Sequence, residues 1–142
     1  MDKGVYRIID ANLNRVMEGV RVCEDIVRFS SNNERLTRML KDLRHKVFES
    51  INDLRKEHLE ELVLSRNTET DVGTKSNEYE KNRKDVIDLF LANAQRGKES
   101  LRVLEEVLKL LSKDLSQQFK RFRFELYEIE KAAVENLETI RQ

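Results

Sequence analysis

The chain contains its own first half again. Residues 12–29 laid over residues 93–110 share Asn12/Asn93, Arg15/Arg96, Glu18/Glu99, Arg21/Arg102, Val22/Val103 and Glu24/Glu105, six identities in 18 positions. The segments that follow also match: 36–49 lies over 115–128, pairing Leu36 with Leu115, Lys41 with Lys120 and Arg44 with Arg123. A repeat of this kind means a unit that cannot bury its apolar face alone and is completed by its neighbour.

The period of the apolar residues says what the unit is. Ile9, Leu13, Val16, Val20, Cys23 and Val27 step by 4 and 3, one stripe on a helix of about residues 5–29. Ser30 to Asn33 break it and offer caps. Leu36, Leu40, Leu43, Val47, Ile51 and Leu54 run down a second helix to about Ser65. Residues 66–81 have no period and form the connecting loop. Asn82, with Asp85 three residues on, predicts a capping box for a third long helix, and Ser112 to Asp114 a short break before a fourth. With no proline and four glycines in 142 residues, little interrupts these helices. The expectation is an all-α single domain over 1–142: four long helices as two repeated helical hairpins, 1–65 and 82–142, packed as a pseudo-two-fold bundle.

Composition excludes several classes. Lys plus Arg and Asp plus Glu are 27 each, so there is no global charge to attract nucleic acid or an anionic membrane, and neither is an expected partner. No apolar run approaches the roughly 20 residues of a membrane helix, and the opening residues lack the apolar core of a signal peptide. A single cysteine, Cys23, excludes a disulfide framework, and a cytoplasmic setting is expected. Glycine-rich phosphate loops, zinc signatures and EF-hand loops are missing. Leftover apolar surface on Leu-rich helices makes a homodimer an expected partner state alongside the monomer.

The first helix of each repeat carries the chemistry. One face holds Asn12, Arg15, Gly19, Val22, Ile26 and Phe29, and its mate holds Asn93, Arg96, Ser100, Val103, Val107 and Leu110. Glycine inside a helix costs roughly 1 kcal/mol against alanine, so Gly19 makes room for something. A close helix crossing, with Arg15 and Arg96 paired to acids on a neighbour, accounts for the pattern. A site for a polar anionic ligand does so too, because the planar guanidinium gives phosphate two parallel hydrogen bonds.

A third face holds Asn14, Glu18, Arg21, Asp25 and Arg28, repeated as Gln95, Glu99, Arg102, Glu106 and Lys109. A ladder of ion pairs explains the alternation of sign. Carboxylates such as Glu24 and Asp25 also suit Mg²⁺ held through water. In the loop, Asp71, Gly73 and Thr74 form either a plain turn or one that aims N–H groups at an anion, with Arg66 upstream as an added cation. His45 is expected to pack, His58 to lie on the surface, and Cys23 to serve as a small core hydrophobe.

The blocks from Ile9 to Arg15, Glu18 to Val22, and Glu24-Asp25 occur in this order with others. The later ones are Leu43-Arg44-His45, Asp71 to Thr74, Asn93, Arg96 and Glu99 with Leu101 to Glu106, and Arg123 to Tyr127 with Glu130-Lys131. Together they resemble the small alternative hydroxymethylpyrimidine phosphate kinase family, found alone or fused ahead of thiamine phosphate synthase. The resemblance implies ATP-dependent phosphorylation of hydroxymethylpyrimidine monophosphate to the diphosphate, with ATP and Mg²⁺ as cofactors and a phosphorylated aminopyrimidine as substrate. With no synthase barrel following, the stand-alone form is expected.

Within that frame, Arg15, Arg21, Arg96 and Arg102 are assigned to the phosphates, and Asp25 or Glu106 to Mg²⁺. Asn12, Glu18, Asn93 and Glu99, with Asp71, Gly73 and Thr74, are assigned to substrate. The alternative is a non-catalytic helical module that tethers or regulates a thiamine-pathway enzyme.

Overall fold

The structure is a computed structural model that describes residues 3–76 and 81–141. Among the described residues it is all helical. α1 is Lys3–Phe29, α2 Glu34–Ser50, α3 Asn52–Leu64, α4 Val86–Val107 and α5 Lys113–Arg141, with a 3₁₀ turn at Leu108–Leu110 between the last two.

The predicted stripe is the buried face of α1: Ile9, Leu13, Val16, Val20, Cys23 and Val27 are all buried. α1 stops where the polar run begins. Ser31 Oγ donates to Val27 O at 2.9 Å, capping a terminal carbonyl. Asn32 takes a left-handed conformation at φ 48°, which asparagine tolerates and which turns the chain out of the helix. Asn33 then accepts from Leu36 N at 2.9 Å and starts α2.

The expected second long helix is two. Ile51 leaves helical geometry at φ −107°, ψ 5°, and His58 does so again at φ −124°, ψ 26° inside α3. The bend has a packing cause. Ile51 stays fully buried, while α3 turns to lie against α1, where Tyr6 Oη and His58 Nδ1 are 3.2 Å apart. His58 is therefore half-buried against a ring rather than on the surface, and His45 is exposed rather than packed.

The cap of α4 falls three residues later than expected. Asp85, not Asn82, is the N-cap, accepting from Asp88 N at 2.8 Å, while Asp88 Oδ2 accepts from Lys84 N at 3.0 Å. At the far end Ser112 Oγ accepts from Leu115 N at 3.1 Å and caps α5. Ser116 Oγ donates to Glu105 O at 2.7 Å and ties α5 to α4.

α1 packs most extensively on α4, α4 on α5, α1 on α2, and α2 on α5, with α3 leaning on α1. Phe90 and Phe119 are the largest wholly buried side chains between them. At the α1–α4 crossing, a Cβ added to Gly19 would sit 2.8 Å from Asn93 O. The backbones touch there, and only glycine allows it. The first reason suggested for Gly19, a close crossing, is thus the observed one.

Candidate functional site

A groove of about 710 Å³ runs along the first four turns of α1, within the size range of small-molecule sites. α1 lines it with Gly4, Arg7, Ile8, Asp10, Ala11, Asn12, Asn14, Arg15 and Glu18, and the segment leaving α3 supplies Arg66, Asn67, Thr68 and Asp71 as its other wall.

That wall is held by one ion pair. Asp10, 8% exposed on α1, accepts from Arg66 Nε at 2.6 Å and from Arg66 Nη2 at 2.9 Å. Two parallel charge-assisted hydrogen bonds fix the chain leaving α3 against α1, and they push the Arg66 guanidinium pKa up from its ordinary value. Asn14 Nδ2 donates to Asp10 O at 2.9 Å, and so stays close to the pair. Downstream, Asp71 Oδ1 accepts from Gly73 N at 2.8 Å and Thr74 Oγ1 donates to Asp71 O at 3.2 Å, an Asx turn made locally.

Of the residues singled out from the sequence, the groove gathers Asn12, Asn14, Arg15, Glu18, Arg66 and Asp71. Arg15 Nη1 donates to Asn12 Oδ1 at 3.4 Å, and Asn12 Nδ2 donates back to Ile8 O at 2.8 Å. Arg96 reaches Glu18 from α4 at 3.8 Å. Asn93 repeats the Asn12 geometry, donating to Leu89 O at 2.9 Å, and its carbonyl lies at the Gly19 crossing. Glu99 accepts from Gln95 Nε2 at 3.0 Å on the exposed side of α4. Gly73 and Thr74 lie beyond the groove lining.

The remaining candidates form two matching ion-pair clusters. Buried Glu24 accepts from Arg44 Nε at 3.0 Å, with Arg21 3.8 Å from Glu24 and 3.5 Å from Asp25. Buried Glu105 pairs with Arg102 and, at 3.3 Å, with Arg123, while Arg102 reaches Glu106 at 3.0 Å. The bond to Glu105 raises the Arg102 pKa, and the Lys109 ammonium lowers that of Glu106. Each cluster clamps the first helix of its repeat to the second. Asp25 and Glu106 thus each have cationic neighbours. Among the described residues no group of three or more His, Cys, Asp and Glu is placed to hold a metal ion, and no helix is long and apolar enough to cross a membrane.

Arg7 and Asp10 were not singled out from the sequence. The repeat itself held the signal: Arg7 aligns with Asp88 and Asp10 with Leu91, two positions where the halves disagree. Cys23 is a core residue as expected, its Sγ 3.6 Å from Phe90 O, and burial pushes its thiol pKa up to about 12.

Proteins named thiamine-phosphate synthase match along most of the chain. That of Nostoc punctiforme is 39% identical over 127 residues, covering 89% of this chain and 34% of the relative. That of Synechocystis sp. is 39% identical over 127 residues, covering 89% and 35%. That of Gloeobacter violaceus is 37% identical over 130 residues, covering 91% and 36%. The chain therefore spans about a third of the length of these relatives. No solved structure matches it. The model of the ThiD2 family matches residues 7–132, nearly the whole chain, and the chain belongs to that family.

Proposed function

We propose that the chain acts in thiamine biosynthesis, transferring the γ-phosphoryl group of ATP to hydroxymethylpyrimidine monophosphate, with the α1 groove as its site. The observation that carries this reading is the groove itself, lined by repeated Asn12, Arg15 and Glu18 and closed on one side by the Arg66–Asp71 segment. Membership of the ThiD2 family and the synthase relatives support the pathway.

The chemistry asks little of the protein beyond position and charge. An oxygen of the substrate phosphate attacks the γ-phosphorus, the bond from that phosphorus to the β,γ-bridging oxygen breaks, and ADP leaves. A phosphate monoester has its second pKa near 6, so at neutral pH the attacking oxygen carries no proton and no general base is required. Arg15 would hold phosphate oxygens, Asn12 would orient Arg15, and Glu18 would accept from the exocyclic amine of the pyrimidine. Arg96 would act through Glu18. Arg21 and Arg102 would support the scaffold through the two buried glutamates rather than touch phosphate. Mg²⁺ would enter on the nucleotide's phosphates; Asp25 and Glu106, the other carboxylates proposed for it, lie outside the groove lining, each beside an arginine.

The repeat, the packing order of α1, α2, α5 and α4, and the matching Glu24–Arg44 and Glu105–Arg123 pairs support two hairpins about a pseudo-two-fold axis, with α3 as an addition to the first.

The test is a coupled assay. Purified protein, ATP and Mg²⁺ are given hydroxymethylpyrimidine monophosphate, with ADP release followed and the diphosphate detected by mass. ADP and diphosphate in equal amounts are expected. A folded protein that makes neither at high concentration would overturn the kinase reading and favour a module tethering a synthase, as the fused relatives suggest.

A further inference from the structure

The groove lining contains three guanidinium groups, Arg7, Arg15 and Arg66, and three carboxylates, Asp10, Glu18 and Asp71. Their charges cancel on paper but not in place. Asp10 is taken by both hydrogen bonds of Arg66. Glu18 is shared with Arg96. Asp71 is turned onto the Gly73 N–H. Arg15 donates only to the neutral amide of Asn12, and Arg7 has no hydrogen-bond or ion-pair partner among the described residues. Two guanidinium groups therefore face the groove with no carboxylate bound to them.

Their spacing is also informative. Arg7, Ala11 and Arg15 follow at intervals of four, close to one face of α1. The two arginines start about 12 Å apart along the axis, and the residue between them in the lining is the short Ala11. Two flexible cations on either side of a gap can close on one small anion from opposite ends.

We propose that Arg7 is a ligand-binding residue that, with Arg15, forms a cradle for the phosphoryl group of a small phosphorylated molecule seated over Ala11. The inference deepens the kinase reading and rests on it for the identity of that molecule. The cradle is built for a phosphoryl group, which ATP and the pyrimidine monophosphate both carry.

Titration calorimetry of the full chain with inorganic pyrophosphate tests the cradle without turnover. Wild type and Arg121→Ala, an exposed α5 arginine outside the groove lining, are expected to bind alike. Arg7→Ala and Arg15→Ala are each expected to bind at least about tenfold more weakly, the loss of one charge-assisted contact. Arg7→Lys is expected to recover part of the loss. Far-ultraviolet circular dichroism checks that each variant is folded. Steady-state kinetics then identify the occupant: in Arg7→Ala, KM is expected to rise about tenfold for one substrate, ATP or the pyrimidine, with kcat nearly unchanged.

Failure of wild type to bind pyrophosphate, or wild-type binding by folded Arg7→Ala, would overturn the cradle. Normal turnover with an unaffected Arg7→Ala would remove Arg7 and leave the kinase reading standing. Pyrophosphate binding lost in Arg7→Ala and Arg15→Ala, in a protein without kinase activity, would keep the cradle and remove the kinase reading.

Discussion

α1 and α4 carry the same Asn, Arg, Glu, Arg and Glu in the same order, and the two helices use them differently at one end. At the C-terminal ends the halves agree: Glu24 with Arg44 and Glu105 with Arg123 make the same buried clamp between consecutive helices. At the N-terminal ends they diverge. α1 has Arg7 lining a groove and Asp10 anchoring the Arg66 wall. α4 has Asp88 at the place of Arg7, used in its own cap, and Leu91 at the place of Asp10. A repeated scaffold can therefore keep its clamps twice and a groove on one half. The groove lining combines shared residues, Asn12, Arg15 and Glu18, with the unshared Arg7 and Asp10 that only the first half has.

The largest test of that contrast is kinetic. Arg15→Ala is expected to lower kcat/KM about 10²- to 10³-fold, as when a preorganised donor to developing charge is removed. Arg96→Ala, its repeat mate, removes a group that meets the groove only at Glu18 and is expected to lower it about tenfold or less. Equal losses in a steady-state assay would place one shared site on the pseudo-axis instead.

Stability should be symmetric where activity is not. Glu24 and Glu105 are 3% and 2% exposed, and removing either leaves a partly buried arginine without its carboxylate. Glu24→Ala and Glu105→Ala are each expected to cost about 3 kcal/mol, read from urea midpoints at constant m. A cost confined to one half would break the equivalence of the clamps.

Two glycines sharpen the comparison at smaller scale. A Cβ at Gly19 meets backbone, Asn93 O at 2.8 Å, whereas a Cβ at Gly97 meets the Cδ2 of Leu126 at 3.0 Å. Leu126 can shift and the α4 backbone cannot do so alone. Gly19→Ala is expected to destabilise by about 1–2 kcal/mol net, since overpacking outweighs the gain in helix propensity. Gly97→Ala should fall within about 0.5 kcal/mol of wild type, the propensity gain offsetting a small strain. Thermal denaturation of the pair decides it.

The smallest effect concerns Cys23. Its thiol pKa is raised from 9.0 to about 12 because burial disfavours the thiolate. The unfolded chain ionises first as pH rises, so this contribution to stability is whole below pH 9 and is lost between pH 9 and about 12. Cys23→Ala is expected to flatten stability over that window, and native Cys23 should resist alkylation at pH 8 until the protein is unfolded.

The sequence was most legible where one periodicity governs many residues. The α1 stripe from Ile9 to Val27 and the end of that helix at Ser30 to Asn33 follow from spacing and capping chemistry alone. The break at Ile51 did not, because the apolar period runs through it; it exists because α3 gains contact with α1, a tertiary cause that leaves no local mark. The α4 cap shifted from Asn82 to Asp85 because two equivalent polar spacings lay three residues apart.

In the candidate groove, Asn12, Arg15 and Glu18 stand out through the repeat. Arg21 and Arg102 look alike in the sequence as phosphate ligands and as ion-pair partners, and their contacts to Glu24 and Glu105 depend on helix positions that no local spacing gives. Arg7 and Asp10 fall where the halves differ, at Asp88 and Leu91, so the repeat does not mark them.

The most direct test of a groove confined to the first half is a backbone amide chemical-shift titration with hydroxymethylpyrimidine monophosphate. Perturbations concentrated at residues 4–18 and 66–71, with residues 88–99 of α4 little changed beyond Arg96 and its neighbours, are the predicted result. Equal perturbation of the two helices, or none at saturating ligand, would contradict it.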